Sequence, residues 1–152
     1  MGTATDARAA RAALEAGTTP PAEALAAIVE LARGAPTRGQ RTHAYGLLGD
    51  LAGRAFGAPW EVAERAAFAL LELARVVDAP DERRALIVAM GRGFRNAWLL
   101  PYVHRRLSDA DPETVAAAAS AAGGLARIAV DQRHQPRGGA GRAHAAERGD
   151  RR

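Results

Sequence analysis

The side chains of this 152-residue chain whose types could do chemistry are few: four histidines, two serines and one alternating run of carboxylates. Asp109, Asp111 and Glu113 stand at alternate positions, like the opening of a calcium loop. Such a loop needs a glycine at its sixth position and a bidentate glutamate at its twelfth. Here those places hold Thr114 and Ser120. Pro112 instead fits the first position of a helix. The three acids therefore read as turn formers and N-caps that also suit the helix dipole. His43, His104, His134 and His144 are dispersed, with no two a helical turn apart and no cysteine nearby, so they do not form a metal-ligand pattern. Ser108 and Ser120 lack the glycines of a nucleophile elbow. Gly91-Arg92-Gly93 has no strand before it and no Lys after it, so it reads as a helix stop and not a phosphate loop. The absence of cysteine excludes a disulfide framework, a thiolate zinc site and a cysteine nucleophile. The expectation is a chain with no catalytic, metal or cofactor site.

Charge is the second chemical signal. The 21 basic residues are all arginine, against 17 acids, for a net charge of +4. A pI near 10.8 invites a nucleic-acid reading. Yet Ala, Gly, Arg and Pro, all with GC-rich codons, dominate the composition, as in a protein from a GC-rich bacterial genome, and part of the arginine excess reads as codon drift. The charge is also uneven: −3 over 1–82, +6 over 83–108, −3 over 109–126 and +4 over 127–152. Arg83, Arg84, Arg92, Arg95, Arg105 and Arg106 supply the +6, and no acid falls among them. They are the candidate partner-binding residues. Two arrangements stay open: convergence on one anion-attracting surface, or scatter over a solvated face with pairing to Asp78, Asp81, Glu82, Asp109 and Asp111.

The elements that must carry these residues are all helical. Ala is the best helix former, and no stretch alternates apolar and polar long enough to argue a strand. The spacing predicts a first helix from an Asp6 N-cap to Ala16, stopped by Gly17, and a second from a Thr19 cap with Pro20 as its first residue, ending at Arg33. A third runs from Thr37 to about Ala55. Gly46, Gly49 and Gly53 weaken it, and such glycines often admit a close neighbour. A fourth spans Pro59 to Val77, with Val62, Ala66, Ala69, Leu70, Leu73 and Val77 as its inward stripe and Phe68 and Leu71 beside it. A fifth follows Asp78 and Pro80 and reaches Gly91. A sixth runs from an Asn96 cap to Leu107 with Leu99, Leu100, Val103 and Leu107 inward. A seventh runs from Pro112 to Gly123-Gly124 with Val115, Ala118, Ala119 and Ala122 inward. Trp60 and Trp98 read as packing anchors.

The helices repeat. Glu30-Leu31-Ala32-Arg33 recurs as Glu72-Leu73-Ala74-Arg75, and at the same offset Gly49 falls on Gly91. A second offset places Asp78-Ala79 on Asp109-Ala110 and Glu82 on Glu113. Three helical pairs result, over 19–57, 59–94 and 96–125. A hairpin that recurs because it cannot bury its apolar face alone is the mark of an α-solenoid. The stretch from Trp98 to Ala126 resembles a HEAT repeat. It has Leu99-Leu100-Pro101 early in a first helix, the turn Ser108-Asp109-Ala110-Asp111-Pro112, and an Ala-rich second helix from Val115 to Gly124. Asp78-Ala79-Pro80-Asp81-Glu82 resembles the same turn. The Val-Arg common just inside the second helix of this family is only partly kept, as Val115-Ala116 and as Arg83-Arg84.

The resemblance implies a short right-handed α-α superhelix over 1–126: three HEAT-like hairpins and an N-terminal helix. From Arg127 the helical pattern fails, and 127–152 reads as a disordered Arg/Gly-rich tail. Three origins for it stay open: an ordinary tail, a basic arm for nucleic acid or an acidic partner, or an out-of-frame segment replacing further repeats. The function implied is that of a non-enzymatic scaffold for protein–protein interaction. It would bind through the concave face of the second helices, with the arginine stretch facing an acidic protein partner. A nucleic-acid-binding HEAT-like module is the alternative. No segment reads as a membrane span and Met1–Gly17 has no apolar leader core, so the expected setting is the cytoplasm. An uncapped solenoid end predicts self-association.

Overall fold

A computed structural model describes residues 6–93 and 98–134, with side chains described through Gly123. It is all-α: α1 (Ala7–Ala16), α2 (Pro21–Gly34), α3 (Arg38–Ala52), α4 (Trp60–Val76), α5 (Pro80–Arg92), α6 (Leu100–Arg106) and α7 (Pro112–His134), with one 3-10 turn at Ala55–Gly57. No strand occurs among the described residues. Among them, no helix is long and apolar enough to cross a membrane.

Local signals set most helix ends. The Asp6 carboxylate accepts from the Ala9 N–H, and Gly17 closes α1 at φ 72°, the left-handed region where only glycine is free of steric cost. The Thr37 hydroxyl accepts from the Gln40 N–H to start α3. Four boundaries differ from expectation. Thr19 does not cap α2: Pro21 takes the first helical position and holds Pro20 extended, as a residue before proline must be. Helix α3 stops at Ala52, because Arg54 and Phe56 both turn to positive φ. Helix α6 begins only at Leu100, and Asn96 lies outside the described residues. Helix α7 runs past Gly123-Gly124 to His134. Two glycines cost about 1 kcal/mol each, and no proline follows until Pro136. So 127–134 is helical where a disordered tail is expected, and 135–152 lies outside the described residues.

Two layers bury the apolar faces. Helices α3, α5 and α7 lie side by side; α2 and α4 pack together behind them, with α6 against α7 and α1 across α2 and α3. The core lies between the layers and includes Ile28, Leu47, Leu48, Leu51, Leu70, Leu86, Ile87, Met90, Leu99 and Val103, all fully buried. The expected stripe of α4 is inward from Val62 to Leu73, with Val77 half-buried. On α7 the inward face is Thr114, Ala118 and Ala121, rotated from the expected one, so that Ala119 is exposed. Trp60 and Trp98 are not buried anchors, being 48% and 56% exposed. Phe68 is exposed as well, and its ring meets Trp98 with centroids 5.8 Å apart.

Glycine sets how near the front helices come. A Cβ on Gly49 would sit 2.2 Å from the Ala89 carbonyl oxygen, so α3 and α5 meet backbone to side-chain-free backbone. Gly91 stands in the same relation to α7, where a Cβ would meet Cβ and Cα of Ala121 at 3.0 and 3.1 Å. Glycines one repeat apart thus make the two junctions of the front layer. Ion pairs repeat with them. Arg41 of α3 bonds Glu82 at the start of α5 (2.5 Å), and Arg84 of α5 bonds Asp111 (3.1 Å) and Glu113 (2.9 Å) at the start of α7. Behind, Arg33 of the first Glu-Leu-Ala-Arg segment reaches Glu72 of the second at 3.0 Å.

Gly49→Ala should destabilise the fold by about 1–3 kcal/mol through overpacking, despite better helix propensity. Gly39→Ala has open space at its Cβ and should stabilise it by about 0.5–1 kcal/mol. Urea unfolding of both variants checks the pair. Glu82→Ala should lower the unfolding midpoint more than Glu72→Ala, because Glu82 is 11% exposed and Glu72 is 65% exposed.

Candidate functional site

The outer surface of the front layer carries an open groove of about 450 Å³. Thr42, His43 and Gly46 of α3 form one wall, Val88 and Arg92 of α5 the other, and Arg11 of α1 reaches over one end. The helix period puts Gly39, His43, Gly46 and Asp50 on one face of α3, and Ala85, Val88 and Arg92 on one face of α5. Glycine and alanine keep the floor low, and a Cβ at Gly46 would press on the Arg92 guanidinium at 3.2 Å.

Its polar groups are linked. Arg11 donates to Asp50 at 2.9 Å and to His43 Nε2 at 3.4 Å. Arg92 lies 3.8 Å from the other Asp50 oxygen and Glu15 lies 3.8 Å from Arg11. Burial lowers the His43 pKa below the ordinary value, and Arg11, Arg8 and Arg92 lower it further; only Asp6 opposes them. Among the described residues, two arginines and one histidine line the groove and no carboxylate does. The imidazole accepts from Arg11, so it sits neutral in a positive field.

Of the two arrangements left open for the arginine stretch, the described residues show pairing with nearby acids. Arg84 is held by Asp81, Asp111 and Glu113, and Arg106 lies 4.9 Å from the Tyr102 ring centroid and 3.4 Å from Asp109. Arg83 turns toward Asp78 and the Val77 carbonyl. Arg105 is exposed, and Arg95 lies outside the described residues. Of the five that are described, Arg92 lines the groove, beside Arg11 and His43 from distant sequence. The period of α3 was the available signal, because it sets His43 in register with Asp50 two turns on.

A second hollow, of about 520 Å³, lies between Arg33, Arg41, Tyr45, Leu73 and Glu82. Its polar groups hold one another. Arg41 donates to Glu82 and to the Ala35 carbonyl at 2.7 Å, and the Tyr45 hydroxyl donates to Glu82 at 3.5 Å. Burial and then Glu82 raise the Tyr45 pKa, which keeps it a donor. Asp109, Asp111 and Glu113 serve the start of α7. Asp111 accepts from the Thr114 hydroxyl at 2.7 Å and from the N–H groups of Glu113 and Thr114. These bonds and Arg84 hold its pKa below the ordinary value. Among the described residues, no group of three or more His, Asp or Glu is placed to hold a metal ion.

No protein-family model, no curated protein and no solved structure matches this chain.

A base with a lowered folded pKa stabilises the fold above its unfolded pKa, and that contribution is lost as pH falls through the folded value. Wild-type stability should therefore fall on acidification from pH about 7 to 5 more steeply than that of His43→Gln. Urea midpoints across that window check it.

Proposed function

We propose that this chain is a short HEAT-type α-solenoid that acts as a non-enzymatic scaffold, binding a protein partner through the face of α3, α5 and α7. The observation that carries the reading is the groove at α3 and α5 of that face, lined by residues of α1, α3 and α5. The repeated junctions support the solenoid half of the proposal. Gly49 and Gly91 are equivalent glycines at successive helix contacts, and Arg41 and Arg84 reach the acidic start of the next front helix. A hairpin stacked this way leaves one broad surface of second helices to solvent, which is how repeat arrays present a binding face. Engagement of Arg84 and Arg106 by nearby acids and Tyr102 favours a protein partner over a continuous phosphate-binding track, which needs free basic side chains along its length.

A photo-crosslinking residue at Val88, on the front face, should trap a partner in cells of the source organism. The same residue at Val76, 71% exposed at the end of α4, should not. Crosslinking of the same partner from Val76 but not from Val88 would refute the proposed face.

A further inference from the structure

We infer that the groove between α3 and α5 is a docking site for an acidic peptide segment, whose carboxylates pair with Arg92 and Arg11 while an apolar side chain rests on Val88. The inference rests on the scaffold reading and gives its partner a chemistry.

Five observations carry it. Among the described residues lining the groove are two arginines and a histidine, and the one carboxylate against both arginines is Asp50, just outside that lining. Arg92 is half exposed, and its ion pair within the chain is a long one to Asp50 at 3.8 Å. A guanidinium has five donors in a planar fork, so Arg92 keeps capacity for a bidentate carboxylate. Asp50, 20% exposed, already shows which group this arginine pair receives, since it lies between Arg11 and Arg92. Val88, 51% exposed, adds an apolar shelf beside the charges. The hollow is open to solvent, which suits a segment of peptide better than an enclosed small molecule.

Docking should also act on His43. The charged groups facing it are Arg8, Arg11 and Asp6 from α1 and its cap, Arg92 from α5 and Asp50 from α3, with Glu15 beyond Arg11. A carboxylate arriving beside Arg11 and Arg92 offsets the positive field, so the imidazole binds its proton more readily. By linkage, the peptide binds more tightly as pH falls through the His43 titration.

The test uses the full chain and a hexaglutamate peptide. Calorimetry or fluorescence anisotropy gives affinity, and the His43 imidazole resonance gives its titration with and without peptide. The expected result is salt-sensitive binding, an upward shift of the His43 titration on saturation, and affinity reduced at least about tenfold by Arg92→Gln. Val88→Glu should reduce it similarly. That change sits on an exposed shelf and removes no ion pair, so it tests the groove even if Arg92→Gln loosens α5; circular dichroism verifies the fold of both. Arg105→Gln, away from the groove, should leave affinity unchanged. Absence of hexaglutamate binding, binding untouched by both groove variants, or a static His43 titration would each overturn the inference. So would a short DNA duplex, or inorganic phosphate, occupying the groove more tightly than the peptide. Crosslinking from Val88 that persists without hexaglutamate binding would leave the scaffold reading standing and remove only the acidic occupant.

Discussion

The approach of α3 to α5 governs the arrangement of this molecule. The missing Cβ at Gly49 lets the carbonyl of Ala89 enter space that any other residue would fill. That contact sets the distance between the two central helices of the front layer. Because α3 also touches α1, α2 and α4, the position of every N-terminal helix is referred to it. Alanine-rich interfaces bury little area per side chain. They offset this through proximity, since dispersion between backbones in contact falls off steeply with distance. Gly91 against Ala121 carries the same solution to α7. The front layer is therefore a row of close contacts, with the large aliphatic side chains reserved for the space behind it.

The same closeness makes the groove. Gly46 opposite Arg92 and Ala85 beside Val88 leave a low floor between two ridges. Larger residues would have closed it. The arginines then divide by what they meet. At the helix starts, Arg41 and Arg84 meet acids that also serve the N-terminal dipoles, and they join one hairpin to the next. On the groove walls, Arg11 meets Asp50, His43 and Glu15, while the pair of Arg92 with the same aspartate is a long one at 3.8 Å. One residue type thus joins neighbouring helices in one place and lines a solvent-open groove in another. Burial and the number of carboxylates within reach separate the two roles.

Much of this was legible from the residues alone. The all-α class followed from alanine content and the 3.6-residue period. The cap at Asp6, the stop at Gly17 and the start of α3 near Thr37 are local chemistry and were readable as such. The equivalence of Gly49 and Gly91 was visible as a repeat offset. The three acids at 109–113 were readable as caps because Pro112 stands among them. Other features needed contacts that sequence spacing does not encode. The inward face of α7 depends on where Gly91 lets Ala121 sit, so Thr114 rather than Val115 turns inward. The C-terminal extent of α7 was hidden by Gly123-Gly124, which weaken a helix without ending it.

Sequence by itself determined the helical class, most helix starts, the repeat and the charge of each segment, because these depend on neighbours within one or two turns. Tertiary structure alone decided which carboxylates each arginine meets. Arg84 and Arg92 lie eight residues apart in one basic run, yet the first is held by three carboxylates and the second lines an open groove. It also joined Arg11 and His43, from the first quarter and third of the chain, to Arg92. The reason is physical. A charge acts over a few ångströms of space, and only the packing of α1, α3 and α5 brings those side chains within that range.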